Sequence, residues 1–222
     1  MKIGNTEIFP TKIICLGRNY VEHAKEMKSQ IPKEPIFFCK TTNCLIKTGE
    51  PIIYPRILYE NSEINRVDHE VELAFIIRKK CKNIKSEGYE DYILGYTIFL
   101  DITARELQIQ DRGINLPWYR SKNFDTFGPI GPKIIEDCED PHDLKIELKL
   151  NDEVKQSSNT KFMVFKIPEI IEYLSKFITL DPGDIIATGT PSGVGPIQPG
   201  DILEATIEKL GTLRNKVILE EE

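Results

Sequence analysis

Asp68-His69-Glu70-Val71-Glu72-Leu73-Ala74-Phe75-Ile76-Ile77 is the stretch on which the reading of the chain turns. Its second half is apolar and rich in β-branched residues, which marks a strand entering a core. Side chains alternate faces along a strand, so Glu70 and Glu72 leave on one side, and Val71 and Leu73 on the other. Two carboxylates beside a buried run are costly unless a cation or a proton satisfies them. A solvated strand face would also hold two charges, but a third carboxylate arrives in a matching context. Asp101 closes the run Ile93-Leu94-Gly95-Tyr96-Thr97-Ile98-Phe99-Leu100, a second core strand. Three hard oxygen donors at the ends of core strands suit Mg²⁺, Mn²⁺ or Ca²⁺, and no Cys/His cluster suggests zinc.

Of the 222 residues, 40% are apolar, which is ample for a core and excludes a disordered chain. A net charge of −6, with acidic residues spread along the chain, argues against nucleic acid as a partner, because phosphate binding needs a basic face. The first residues contain no apolar signal segment, and no apolar run reaches the ~20 residues that span a bilayer. Neither secretion nor a membrane is expected. The five cysteines (Cys15, Cys39, Cys44, Cys81, Cys138) are odd in number and lack CxxC spacing. They read as reduced thiols of a cytoplasmic protein.

The run Ile13-Ile14-Cys15-Leu16 predicts a buried strand stopping at Gly17. Residues 19–27 follow with helical composition, and Asn19 is the candidate N-cap. Ile36-Phe37-Phe38-Cys39 is a further strand, and the proline-bounded stretch 51–55 an edge strand. Residues 56–66 and 117–132 read as loops. A helix is expected over 103–108, interrupted near Gly113. The alternation over 144–150 predicts a half-buried strand with a turn at Asn151-Asp152. Residues 167–177 form the clearest helix, with Ile170, Ile171 and Leu174 on one stripe. Strands over 185–188, 203–207 and 215–219 complete the chain. Strands outnumber helices without repeated βα alternation, so the fold class is β-rich α+β, and with no linker or low-complexity segment, residues 1–222 read as one domain.

Three groups stand out beside the carboxylates. On a helix over 19–27, His23 and Glu26 share a face. A carboxylate that orients an imidazole makes it a base able to take a proton from water. Lys122 lies in a stiff loop, where an ammonium near a metal would stabilise an enolate or carboxylate. The loop 189–196 lacks the phosphate-binding and nucleophile-elbow patterns, and its glycines permit close backbone approach to a ligand. His69 faces away from Glu70 and reads as structural. His142 sits in a polar turn with no chemical task.

Together these residues resemble the fumarylacetoacetate hydrolase family, in its short acylpyruvase and oxaloacetate decarboxylase-like branch. The resemblance rests on Gly17-Arg18-Asn19-Tyr20-x-x-His23-x-x-Glu26-Met27, His69-Glu70-x-Glu72-Leu73, Asp101-Ile102-Thr103-Ala104-Arg105, Ser121-Lys122-x-Phe124-Asp125-Thr126 and Gly189-Thr190-Pro191-x-Gly193-Val194-Gly195. These occur in family order across nearly the whole chain. The resemblance implies mixed sheets rolled around a metal site, usually in a homodimer. It implies Mg²⁺ or Mn²⁺ (with Ca²⁺ able to stand in within crystals) on Glu70, Glu72 and Asp101. His23 with Glu26 matches the general-base pair, and Lys122 and Gln108 match positions facing the substrate. Arg18 and Thr190 match further substrate-binding positions.

The implied activity is hydrolytic C–C cleavage of an acylpyruvate, a 2,4-dioxo acid, through a pyruvate enolate stabilised by the metal and Lys122. Oxaloacetate decarboxylation or tautomerisation, and isomerisation or decarboxylation of 2-hydroxy-dienedioates in aromatic catabolism, share that enolate chemistry. The dyad favours hydrolysis, since isomerisation has less need of activated water. A non-catalytic dicarboxylate or metal binder is the alternative of another class. Two departures concern the mouth of the site: Lys40-Thr41-Thr42-Asn43 replaces the usual Lys-Pro-x-Ser, and the stretch before His69 is longer than usual. The segment around His23 is a candidate lid.

Overall fold

The computed structural model describes residues 1–26 and 30–221. Met27, the last residue of the expected first helix, lies outside them. A seven-stranded mixed sheet runs in the order Ile36–Lys40, Ile13–Gly17, Ile185–Ala187, Val71–Ile77, Ile93–Leu100, Gly128–Ile135, Leu45–Lys47. A five-stranded sheet, ordered Glu153–Asn159, Lys145–Leu150, Ile202–Ile207, Gly211–Leu219, Ile52–Tyr54, packs across its middle. A small third sheet joins Thr103–Ala104, Val67–His69 and Gly195–Ile197. The chain is β-rich α+β, with mixed sheets curled around a buried centre.

The quoted stretch is two strands rather than one. Val67–His69 belongs to the small sheet and Val71–Ile77 to the large one, and the break falls at Glu70. All seven residues of Val71–Ile77 are buried, as its near-continuous apolar run requires. Its antiparallel register sets Val71 opposite Leu100 and Leu73 opposite Ile98. That register brings Asp101 opposite Glu70, and the Asp101 amide donates to the Glu70 carbonyl at 2.9 Å. A one-residue slip would turn every one of these side chains to the other face.

Other expectations shift for local reasons. The first helix is Val21–Glu26, so Asn19 precedes its cap. Asn19 instead donates through its amide to the carbonyls of Thr188 (2.8 Å) and Phe165 (3.0 Å). Residues 56–66 are not wholly loop, since Arg56–Tyr59 makes one helical turn after Pro55. The stretch 117–132 contains a helical turn, Tyr119–Lys122, and the start of the strand Gly128–Ile135. The helix after Asp101 begins only at Arg105, because Thr103 and Ala104 pair with Asp68 and Val67. It then runs to Gly113. The last strand starts at Gly211, where φ is +100°, and forms a hairpin with Ile202–Ile207. The helix Ile167–Phe177 is as expected, and the backbone amide of Ile167 donates to His142 Nε2 at 3.1 Å, which gives that imidazole a capping task. The proline-bounded strand Ile52–Tyr54 lies at a sheet edge.

Leu73 is fully buried and points away from the Glu70–Glu72 face. Leu73→Ala is expected to cost about 2–5 kcal/mol of stability, read from urea unfolding, with divalent-cation affinity unchanged.

Candidate active site

The carboxylates of Glu70, Glu72 and Asp101 converge, with one oxygen of each lying within 4.8 Å of the others, and all three residues are buried. Buried carboxylates need compensation, and two of the three receive it from cations. Glu70 accepts from the Arg105 guanidinium and from Lys122 Nζ at 3.0 Å. Asp101 accepts from Lys122 Nζ and from Lys40 Nζ at 2.8 Å. Lys122 Nζ also donates to Thr103 Oγ1 at 2.6 Å and lies 4.9 Å from the centre of the Phe38 ring.

Glu72 differs. Its hydrogen bond comes from the Gly189 amide at 2.8 Å, and it forms no ion pair among the described residues. Burial, followed by the charges of Asp101 and Glu70, pushes its pKa well above the usual carboxylate range. Burial also presses upward on Glu70, but Lys122 and then Arg105 outweigh it and hold that carboxyl well below the usual range. Lys122 is held above its ordinary value because Asp101 and Glu70 overcome the opposing effect of burial. An oxygen-only donor set with one buried carboxylate lacking a cation fits a hard divalent ion. Mg²⁺ and Mn²⁺ both meet that description.

The carboxylates open on a cleft lined by His23, Arg18, Gln108, Lys122 and Thr190, together with Glu70, Glu72 and the side walls Phe38, Trp118 and Ile109. Glu26 and Asp101 are not part of this lining, and contact it through His23 and Lys122. His23 is 6% exposed, and its Nδ1 is 3.2 Å from Glu26 Oε2. Glu26 in turn accepts from the Gly193 amide at 3.1 Å. Gly193 has φ +95°, and a Cβ there would lie 2.0 Å from the Lys155 carbonyl, so no other residue fits. The loop 189–195 therefore touches Glu72 at one end and Glu26 at the other.

Gln108 Oε1 accepts from Arg105 Nη1 at 2.6 Å, which leaves the N–H₂ as the end of this cleft-lining amide able to donate to a ligand. Arg18 is held at φ +59°, a conformation that costs a non-glycine residue on the order of 1 kcal/mol. Arg112 also lines the cleft, and neither it nor Arg18 has an acidic partner among the described residues. Partial burial, and then the charge of Arg112, lower the Arg18 pKa.

Sequence reading named Arg105 only within a motif and Lys40 only as a departure, and it passed over Arg112 and Trp118. A lysine continuing the apolar run Ile36-Phe37-Phe38-Cys39 was the available signal for Lys40. The others depend on helix placement that no local pattern announces. His69 lies away from the triad, with its ring against Gln156.

Residues 12–218 match the fumarylacetoacetate (FAA) hydrolase C-terminal family. The chain belongs to this family. It is 42% identical to a mitochondrial oxaloacetate tautomerase of Xenopus laevis, over 94% of this chain and 66% of that protein. Among solved structures, a fumarylpyruvate hydrolase of Pseudomonas aeruginosa in complex with Mn²⁺ and pyruvate superposes with a TM-score of 0.88 at 33% identity, covering 98% of this chain and 93% of that one. A 5-carboxymethyl-2-hydroxymuconate delta-isomerase of Mycobacterium smegmatis gives 0.85 at 39% identity, covering 97% and 81%. Members of the family are thus hydrolases, isomerases and tautomerases, and the fold of this chain is theirs. No helix among the described residues is long and apolar enough to cross a membrane.

Burial and the charges of Asp101 and Glu70 favour the protonated form of Glu72, so a cation bound there would compete with a proton. Mn²⁺ affinity, measured by titration calorimetry, is expected to rise with pH until Glu72 is fully ionised. Glu72→Gln should weaken Mn²⁺ by about a hundredfold or more and remove most of this pH dependence.

Proposed function

We propose that the chain is a single catalytic domain that cleaves the C–C bond of an acylpyruvate by hydrolysis, using Mg²⁺ or Mn²⁺ on Glu70, Glu72 and Asp101. The observation supporting this reading best is the His23–Glu26 pair on the cleft that holds the triad. A base oriented by a buttressed carboxylate is what a water-dependent reaction needs. The Mn²⁺ and pyruvate of the Pseudomonas hydrolase support a 2-oxo acid as ligand.

The bound cation would act as a Lewis acid towards a 2-oxo acid and offset the negative charge that develops on it. The chain's own groups supply the rest. Arg18, the N–H₂ of Gln108 and the Thr190 hydroxyl hold the substrate carboxylate. His23 takes a proton from water, and Glu26 balances the imidazolium charge. The water oxygen bonds to the distal carbonyl carbon, and the bond between that carbon and C3 breaks. Its electron pair becomes the enolate of pyruvate, which the Lys122 ammonium stabilises. Protonation at C3 by His23 returns the base and releases pyruvate and a carboxylic acid. Trp118, Phe38 and Ile109 line the cleft with apolar surface that suits the acyl group.

A second reading is oxaloacetate tautomerisation. It draws support from the 42% identity to the Xenopus tautomerase, and from the guanidiniums of Arg18 and Arg112, which have no acidic partner among the described residues and suit a second carboxylate. The two readings share every group except the attacking water. A binder without catalysis would leave the His23–Glu26 pair with no task.

Pyruvate release from acetylpyruvate and from oxaloacetate, with Mg²⁺ or with EDTA, separates them when the ultraviolet decay of enol-oxaloacetate is followed in parallel. Metal-dependent release from acetylpyruvate is expected, and His23→Ala should lower its kcat by ~10²–10⁴-fold with Mn²⁺ affinity intact. Decay of enol-oxaloacetate alone would replace hydrolysis by tautomerisation, and turnover of neither would overturn both.

A further inference from the structure

Gln156 is fully buried, on the strand Glu153–Asn159 of the five-stranded sheet, outside the site described above. Its four contacts cross between elements that the site depends on. Oε1 lies 3.1 Å from the amide of Val71 and 3.0 Å from His69 Nδ1, so it touches both neighbours of Glu70. Nε2 lies 2.8 Å from the carbonyl of Pro191 and 2.8 Å from Thr190 Oγ1, on the loop that contacts Glu72 and Glu26. The preceding residue, Lys155, presents the carbonyl that packs on Gly193.

The orientation of this amide is not a free choice. The Val71 N–H can only donate, and the Pro191 carbonyl can only accept, so the oxygen must face Val71 and the nitrogen must face Pro191. Two consequences follow from hydrogen-bond capacity. The second N–H of Gln156 occupies a lone pair of the Thr190 hydroxyl, which leaves that hydroxyl's proton to point elsewhere. Thr190 lines the cleft, so the proton is available there as a donor. At the other end Oε1 accepts, so His69 must carry its proton on Nδ1.

We propose that Gln156 is a positioning residue that fixes the polarity of Thr190, holding its hydroxyl as a donor to the carboxylate of the bound 2-oxo acid. The role of the Thr190 hydroxyl rests on the 2-oxo acid reading above, whereas the polarity of the amide does not. An unconstrained threonine hydroxyl would present a lone pair to an anion as readily as its proton. A polarised one is organised before the ligand arrives, and its bond to a carboxylate is charge-assisted.

Two measurements test this. The first uses the unaltered protein: ¹⁵N chemical shifts of the histidine rings should show His69 protonated at Nδ1 and bare at Nε2. The reverse tautomer would mean that the amide points the other way and would overturn the proposal, whatever the enzyme's reaction. The second is a double-mutant cycle on oxalate binding in the presence of Mn²⁺. Gln156→Leu should weaken oxalate by ~10- to 100-fold, raise KM rather than lower kcat, and leave Mn²⁺ affinity within a few-fold. In a Thr190→Val background the same substitution should cost oxalate affinity little more. An equal loss in both backgrounds, or a matching loss of Mn²⁺ affinity, would make Gln156 a packing residue and sink the proposal. If oxalate binds as expected but no 2-oxo acid is turned over, the proposed function fails and the positioning role stands.

Discussion

Three carboxylates drawn into one buried pocket at the end of two core strands are the constraint to which the rest of the molecule answers. Each would be costly there without compensation, and the chain supplies it from separate elements. Lys40 comes from the edge of the large sheet, Arg105 from the first turn of a helix, and Lys122 from a single helical turn between loops. Glu72 receives a backbone amide instead of a cation. The deficit at that one carboxylate leaves a cluster that could hold a divalent ion rather than a closed network of salt bridges.

The pairing of Val71 with Leu100 sets this geometry, because it decides which residues meet at the strand ends. The break at Glu70 has a related effect. By passing from the small sheet into the large one at this residue, the chain leaves Glu70 in neither ladder while its neighbours on both sides remain anchored. The His23–Glu26 pair is tied to the same frame through a short route. Gly193 donates to Glu26 because only a glycine fits against the Lys155 carbonyl, and Glu26 orients His23. The carboxylate triad and the His23–Glu26 pair are thus connected by one glycine-containing loop, which contacts Glu72 through Gly189 and Glu26 through Gly193.

Much of this was legible in the sequence, and the reason is pattern. Long apolar runs located the two core strands, and the ends of those runs located the three carboxylates. The stripe Ile170, Ile171 and Leu174 located the long helix. The HxxE spacing located the dyad even though the helix proved shorter at its start, because three-residue spacing survives a shift of boundary. What escaped depends on contacts distant in sequence. The turn Tyr119–Lys122 is four residues long, too short for periodicity to reveal. Asn19 looked like a cap, yet its amide bonds across to residues more than a hundred positions away. Gln156 is the one fully buried side chain in a polar strand flanked by exposed Lys155 and Ser157, and nothing local distinguishes the inward position.

Anomalous X-ray diffraction from crystals soaked with Mn²⁺ and oxalate tests the central claim most directly. The account predicts a single manganese peak bound by Glu70, Glu72 and Asp101, with oxalate oxygens completing its coordination and one oxalate carboxylate facing Thr190 and Gln108. Manganese at another site, or oxalate seated on Lys122 with no ion among the three carboxylates, would contradict it.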